Sequence, residues 1–133
     1  METKQVLVIR KDLNMRKGKM VNQGAHGAVK SIFDLMDQID FNKDYTTFTM
    51  TIHHNDPLYY WLTGIFTKIV CGCDSEEELL SLQNNAKKDK IINVLIQDSG
   101  LTEFHGIPTY TALAIGPDEV SKIDKITGHL KLL

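Results

Sequence analysis

Two patterns of hydrophobic and polar positions alternate along the chain, one typical of buried strands and the other of amphipathic helices. Short apolar runs rich in β-branched residues predict four strands. These strands are expected at residues 5–10, 65–73, 91–96 and 109–115, and residues 46–52 also contain strand-forming side chains. Because helical segments separate the strands, the pattern predicts an α/β fold with a mixed sheet of about four strands flanked by helices.

The longest periodic segment predicts an amphipathic helix over residues 20–39. Its apolar stripe comprises Val21, Ala25, Ala28, Ile32, Leu35 and Ile39, widened by Val29, Phe33 and Met36. The opposite side carries Lys19, Gln23, His26 and Lys30. Their spacing puts these four side chains on one face if the helix begins by Lys19.

Capping signals predict three shorter helices. Asp56-Pro57 is typical of an N-cap followed by the first helical residue, and this helix is expected to stop at Gly64. Ser75-x-x-Glu78 has the spacing of a capping box and predicts a helix to about residue 88. A last helix is expected after Pro117-Asp118, ending near residue 126.

The composition is that of one compact domain spanning residues 1–133. Hydrophobic residues make up 42% of the 133 positions and charged residues 24%, enough for a core and untypical of a disordered chain. No apolar run approaches the roughly 20 residues that cross a bilayer, and the N-terminus lacks a secretory signal. We therefore expect a cytoplasmic protein without membrane contact. Cys71 and Cys73 are too close for a disulfide and are expected in the core.

The charge is distributed unevenly along the chain. The formal net charge is only −2, yet the first 20 residues carry +4 and the remainder −6. A local basic patch can bind phosphate even when the whole molecule is weakly acidic, although a solvated lysine-rich loop has the same composition.

Several enzyme motifs are missing from the sequence. It contains no dinucleotide-binding glycine motif, no phosphate loop, no Gly-x-Ser-x-Gly elbow and no His-Glu-x-x-His. Cys71 and Cys73 lack a second ligand pair at the spacing of a structural zinc site, so no metal site is predicted.

Three polar clusters lie at the ends of predicted elements. Met15-Arg16-Lys17-Gly18-Lys19 leads into the long helix, whose first N–H groups suit a phosphate or a developing oxyanion. Gln97-Asp98-Ser99-Gly100 follows a strand, where α/β sheets bind ligands, but such a sequence also forms ordinary turns. Thr109-Tyr110-Thr111 puts both threonines on one strand face.

Taken together and in this order, the clusters resemble the archaeal and eukaryotic type of peptidyl-tRNA hydrolase. The resemblance rests on Arg10-Lys-Asp-Leu-Asn-Met-Arg-Lys-Gly-Lys19, Gln23-Gly-Ala-His26, Asp98-Ser-Gly100, Thr102, Thr109-Tyr-Thr111, Leu113-Ala-Ile-Gly-Pro117 and Ile126-Thr-Gly-His-Leu-Lys-Leu-Leu133. It extends over nearly the whole chain apart from the middle third. It implies a small mixed-sheet fold, a homodimer, and cleavage of the ester that joins a peptide to the ribose of its tRNA.

The resemblance also implies the catalytic residues. Lys19 and Asp98 match the functional lysine and aspartate of the family, and Thr102 and Thr111 match its two threonines. The spacing of the threonines leaves Thr109 as an alternative to Thr111.

The same positions imply how the substrate is held. Gln23 and His26 match the usual companions of the lysine on the helix and are expected to contact the acceptor end of the tRNA, although His26 is also a candidate base. Arg10, Arg16 and Lys17 are expected to supply phosphate contacts in the basic patch.

Ester hydrolysis needs a positioned water, a group that accepts its proton and a donor for the oxyanion. We expect Asp98 to orient or deprotonate the water and Lys19 to stabilise the oxyanion or the departing ribose oxygen. The threonines are expected to hold the water or the carbonyl, and no metal or other cofactor is needed. Two alternatives stay open: a non-catalytic RNA-binding or protein-interaction module, and an esterase acting on misacylated tRNA.

Overall fold

The computed structural model describes residues 1–101 and 103–133, and its helices and strands alternate as the sequence predicts. In chain order the elements are β1 (Thr3–Arg10), α1 (Lys17–Phe33), β2 (Asp37–Asp40), β3 (Thr46–Thr49), α2 (Pro57–Thr63), β4 (Lys68–Cys73), α3 (Glu76–Lys88), β5 (Asn93–Asp98), β6 (Thr109–Glu119) and α4 (Val120–Thr127). The main sheet has the order β4-β1-β6-β5, and β2 and β3 form a separate hairpin. Since β1 is parallel to β4 and antiparallel to β6, the predicted mixed α/β sheet is confirmed.

One face of the main sheet packs against α3 and α4 and forms the larger apolar core. Side chains of the two central strands, such as Val8 and Leu113, lie here with Leu79 of α3 and Ile123 of α4. Cys71 and Cys73 belong to the same cluster and are free and buried, as predicted. Burial raises the pKa of Cys73 to about 11, so its sulfur remains a thiol at neutral pH.

The opposite face of the main sheet packs against α1 through small and polar residues. The buried residues of this helix are Gln23, Gly24, Gly27 and Ser31. A Cβ on Gly27 would lie 3.2 Å from the Cβ of Ala114 in β6, so this glycine allows α1 to approach the sheet closely. Gln5 of β1 donates a hydrogen bond to the Ser31 hydroxyl at 2.6 Å, so the contact includes a buried polar pair.

The structure corrects two expectations about α1. The helix ends at Phe33 rather than near residue 39, and Asp37–Asp40 forms the strand β2. The Phe33 ring packs 4.9 Å from the ring of Phe48 in β3, so the hairpin folds back onto the helix end. The apolar stripe also faces away from the sheet: Val21 is 73% exposed and Val29 69%. Close packing on the sheet selects glycine at this contact, which leaves the larger apolar residues outside.

The predicted starts of two shorter helices are confirmed by their caps. The Asp56 carboxylate accepts from the Leu58 N–H before α2, and Pro57 is the first residue of that helix. The Ser75 hydroxyl accepts from the Glu78 N–H before α3. The Glu78 carboxylate returns to the N–H of Asp74, one residue before the position expected in a capping box.

Trp61 fixes α2 to the chain that leads into β4. The side chain is 4% exposed, and its indole N–H donates to the Thr67 carbonyl at 2.9 Å. The Phe66 ring meets it edge-on with a centroid distance of 5.1 Å. This cluster therefore buries the indole while satisfying its single donor.

The two edge strands of the main sheet differ. Residues at the C-terminus pair with β4, since the Gly72 N–H donates to the Lys131 carbonyl and the Leu133 N–H to the Val70 carbonyl. Within the described residues, no strand pairs with the outer edge of β5. One edge of the sheet is therefore covered and the other is open.

Two absences hold for residues 1–101 and 103–133. No helix in these ranges is long and apolar enough to cross a membrane. Among the same residues, no three His, Cys, Asp or Glu side chains lie together so that they could hold a metal ion.

Candidate active site

The centre of the candidate site is an ion pair between the first turn of α1 and the last residue of β5. The Lys19 Nζ lies 2.6 Å from the Asp98 Oδ1, although 79 positions separate the two residues in the chain. Each side chain is only 11% exposed. The pair forms because β5 ends beside the start of α1, so the fold brings together two of the residues predicted from the sequence.

A buried hydrogen-bonded chain lies behind this pair. Gln23, one turn after Lys19 on α1, places its Nε2 3.5 Å from the Asp98 Oδ1. The Thr111 hydroxyl donates to the Gln23 Oε1, and both side chains are buried. β6 thereby supports Gln23, and Gln23 lies against the carboxylate, so these predicted residues are connected to the pair.

A tight turn after β5 holds the other oxygen of the carboxylate. The Asp98 Oδ2 accepts from the Gly100 N–H at 2.8 Å. Gly100 has a φ of +84°, and a Cβ there would clash with the backbone of Ile107, so only glycine fits. Asp98 is therefore both a turn former and a member of the site, two interpretations that the sequence presented as alternatives.

The environment keeps Asp98 ionised. The hydrogen bond from Lys19 lowers the pKa of Asp98 below its ordinary value of 3.8, and the Gly100 N–H acts in the same direction, while burial opposes both. The Lys19 ammonium also lies 5.9 Å from the centroid of the Phe104 ring. At neutral pH the site thus presents a carboxylate and an ammonium beside an aromatic wall.

The two threonine candidates of β6 differ in their contacts. The Thr109 hydroxyl donates to the Ile107 carbonyl at 2.8 Å, whereas the Thr111 hydroxyl reaches Gln23 and through it Asp98. The geometry therefore connects Thr111 rather than Thr109 to the pair. The predicted Thr102 lies outside the described residues.

The predicted basic patch divides into an exposed and a buried part. Arg16 and Lys17 are exposed just before Lys19, and the Arg16 Nε lies 3.8 Å from a Glu103 oxygen. Arg10 is buried, donating to the Asp12 carboxylate at 2.6 Å and to the Tyr110 carbonyl at 2.9 Å. Arg10 thus ties the loop after β1 to β6, while the other two side chains face solvent.

His26 and Phe104 complete the surroundings of the pair. His26 is exposed on the flank of α1, close enough to Asp98 to favour its charged form slightly. Phe104 was missed by sequence reasoning because it lies in the irregular segment between β5 and β6. A lone aromatic residue between Asp98 and the threonine strand was the available signal.

Comparisons with known proteins identify the family of the chain. Residues 3–133 match the model of the family described as "Peptidyl-tRNA hydrolase PTH2". The chain is similar to the peptidyl-tRNA hydrolases of Methanocaldococcus jannaschii, with 39% identity over 98% of this chain and 99% of that protein, and of Thermococcus onnurineus, with 40% over 98% and 97%. A probable peptidyl-tRNA hydrolase 2 of Drosophila melanogaster is 34% identical over 98% of this chain and 61% of that protein.

These matches confirm the family and the class of enzyme that the sequence motifs indicate, a hydrolase of peptidyl-tRNA. They cover the segments that carry Lys19 and Asp98 as well as the middle third, where the motifs gave no guidance. The chain belongs to the peptidyl-tRNA hydrolase PTH2 family.

Proposed function

We propose that Lys19 and Asp98 form the catalytic centre with which the chain hydrolyses the ester between peptide and tRNA, recycling tRNA from stalled or aborted translation. The observation that carries this proposal is the 2.6 Å ion pair, largely shielded from solvent and assembled from distant parts of the chain. A pair of charges held partly out of solvent is costly to maintain for stability alone, which supports a chemical role for it.

In the proposed reaction, water adds to the ester carbonyl carbon while Asp98 orients it and accepts its proton. Lys19 donates hydrogen bonds to the oxyanion that develops on the carbonyl. The bond between that carbon and the ribose oxygen then breaks, and the proton passes to the ribose oxygen. Peptide acid and tRNA with a free hydroxyl are the products, so no cofactor or covalent intermediate is required.

The threonines and Gln23 are proposed to position the groups that react at this centre. Because Thr111 is buried and bonded to Gln23, we assign it a positioning role: it orients the amide that lies against Asp98. Thr102 is proposed to hold the water or the carbonyl, as the family resemblance implies. The Thr109 hydroxyl donates to the Ile107 carbonyl just before β6, so Thr109 is the weaker candidate.

RNA binding is assigned to the basic patch beside the site. Arg16 and Lys17 are exposed and positioned to reach phosphates, whereas Arg10 is buried against the Asp12 carboxylate and supports the patch by holding the loop after β1. His26 is proposed to contact the acceptor end of the tRNA from the flank of α1. Because phosphate contacts release counterions, the affinity for tRNA should fall steeply with salt, and an affinity independent of salt contradicts this assignment.

A comparison of two substrates tests the function against its alternatives. The purified chain is incubated with N-acetyl-aminoacyl-tRNA and with free aminoacyl-tRNA, and release of the acyl group is followed. We expect cleavage of the blocked form only. Cleavage of both forms, or of the free form only, indicates an esterase for misacylated tRNA. Binding of both without cleavage indicates a non-catalytic module.

Two further properties are proposed from the family resemblance: a homodimer and a cytoplasmic location, where translation supplies the substrate. Light scattering of the purified chain tests the first, because a dimer gives twice the mass of the chain. Fractionation of cells tests the second.

A further inference from the structure

We propose that the peptide part of peptidyl-tRNA binds as an added strand along the open edge of β5, running parallel to β5 in the groove beside α1. This proposal rests on the proposed function, because it takes the Lys19–Asp98 pair as the place where the ester is cleaved.

The edge of β5 offers unused backbone groups. The Gly116 N–H donates to the Ile92 carbonyl at 2.7 Å, and the register then pairs Val94 with Ala114 and Ile96 with Ala112. In an antiparallel pair, every second residue directs its backbone groups to the partner strand. The N–H and C=O groups of residues 93 and 95 therefore point away from β6, where no strand among the described residues meets them.

A groove of about 630 Å³ runs beside this edge, between β5 and α1. Ala25, Val29 and Phe33 form much of its helix side, and Leu95 and Ile96 form its strand side. Ala25, Val29 and Phe33 are apolar residues that α1 turns away from the sheet, so the exposed stripe of the helix forms one wall of the groove. The polar residues Asn22, His26, Lys30 and Gln97 also line the groove. A groove with both apolar and polar walls accepts peptide side chains of many kinds without selecting one sequence.

The position of Asp98 fixes the direction of the bound peptide. The C-terminal residue of the peptide carries the ester, so it must lie at the end of β5 where Asp98 pairs with Lys19. The preceding residues then extend back toward Asn93. The peptide thus has the same direction as β5, and the six residues of this strand offer about 20 Å of edge.

Main-chain pairing also suits the chemistry of the substrate. Peptides on tRNA have every possible sequence, and pairing with a sheet edge recognises the backbone that they share. A free aminoacyl-tRNA has no preceding amide to pair, and its charged ammonium would enter a partly apolar groove that Lys30 also lines. The open edge therefore explains how one small domain can be indifferent to peptide sequence and still require a blocked amino group.

N-methylated substrates test the pairing directly. Initial rates are measured with the wild-type chain on tRNA carrying N-acetyl peptides of one to four residues, and on four-residue peptides with a single N-methylated amide. We expect KM to fall as the peptide lengthens. N-methylation should raise KM roughly three- to tenfold at alternate positions and leave it nearly unchanged at the positions between, because only every second N–H faces the edge.

A matched pair of variants tests the groove. Val29→Trp fills it, and Val21→Trp adds the same side chain at a similarly exposed position on the other flank of α1. We expect Val29→Trp to raise the ratio of the four-residue KM to the one-residue KM several-fold. Val21→Trp should leave that ratio unchanged.

The outcomes separate this proposal from the function on which it rests. If hydrolysis is intact but KM depends on neither peptide length nor N-methylation, the added-strand proposal is wrong and the proposed function is unaffected. No hydrolysis of any blocked substrate overturns the function itself. If Val29→Trp instead dissociates a dimer and leaves the KM ratio unchanged, a second copy of the chain covers the edge and the peptide proposal is wrong.

Discussion

The two faces of the main sheet are packed by different chemistry. Toward α3 and α4 the strands present aliphatic residues that form a continuous apolar core. Toward α1 a smaller apolar cluster is accompanied by glycines and buried polar side chains, and Gln23 links the sheet to the Lys19–Asp98 pair. Apolar contacts stabilise without fixing direction, whereas hydrogen bonds fix the direction of the groups they join. The first face should therefore determine stability and the second should determine catalytic geometry.

The largest effect is expected at the proposed catalytic pair. Asp98→Asn and Lys19→Met should each lower single-turnover cleavage of N-acetyl-aminoacyl-tRNA by about 100- to 1,000-fold, as when a positioned oxyanion donor is removed. Binding of the tRNA should change far less. Lys87→Ala, an exposed change in the last turn of α3, is the matched control. Cleavage by either site variant at the control rate contradicts the assignment.

A truncation in the core between the sheet and α3 should lower the stability of the protein and leave its activity unchanged. Leu79→Ala removes a fully buried side chain of α3 and should lower the free energy of unfolding by ~2–5 kcal/mol, since it leaves a cavity. Denaturant titration measures the loss, and kcat on the surviving folded chain should stay within about twofold of wild type. A large fall in kcat at unchanged stability would show that the two faces are not separable in this way.

Gln23 and Thr111 should show energetic coupling, because one buried hydrogen bond joins their side chains. Gln23→Leu leaves the Thr111 hydroxyl without its acceptor and should cost ~1–3 kcal/mol of stability as well as activity. In a double-mutant cycle, adding Thr111→Val should cost much less than it does alone, because the orphaned hydroxyl is gone. Simple additivity of the two changes contradicts a positioning role for Thr111.

Two glycines of α1 provide a smaller, paired test of the close approach. An added Cβ on Gly24 meets side chains at 3.6 Å, an ordinary contact, so Gly24→Ala should raise stability by ~0.5–1 kcal/mol through helix propensity. On Gly27 the nearest atom is the buried Ala114 Cβ at 3.2 Å, so Gly27→Ala should lose that gain and reduce kcat. Equal melting temperatures of the two variants contradict the tight packing of Gly27.

The smallest effect concerns pH. The pKa of Asp98 is lowered from 3.8 in the folded chain, so its contribution to stability is present above pH 3.8 and is lost as pH falls through the lowered value. Between pH 5 and 8, Asp98 should stay ionised and cause no inflection in the rate. Acid unfolding followed for the wild type and Asp98→Asn checks this, since the two curves should converge only below pH 3.8.

The sequence predicted those parts of the fold that local chemistry determines. Apolar β-branched runs identified all four main strands, and Asp56 and Ser75 identified the helix starts by residues that bond within one turn. The buried face of α1 could not be predicted, because the choice of glycine at Gly27 depends on the distance to Ala114, a contact between remote parts of the chain. Periodicity alone pointed to the wrong face.

The candidate site was predictable as a set of residues and not as an arrangement. Ordered motifs identified Lys19 and Asp98, but nothing in a sequence shows that an ammonium and a carboxylate 79 positions apart lie 2.6 Å from each other. Likewise, Arg10 was grouped with the exposed basic residues because its neighbours are basic, whereas its contacts with Asp12 and Tyr110 are set by the folded sheet.

Trp61 has a spectroscopic consequence. It is the only tryptophan of the sequence, it is buried at α2, and neither Lys19 nor Asp98 is among its contacts. Its emission should therefore shift to longer wavelength when the chain unfolds and change little when the substrate binds. Tryptophan fluorescence should therefore report the unfolding of the protein independently of substrate binding.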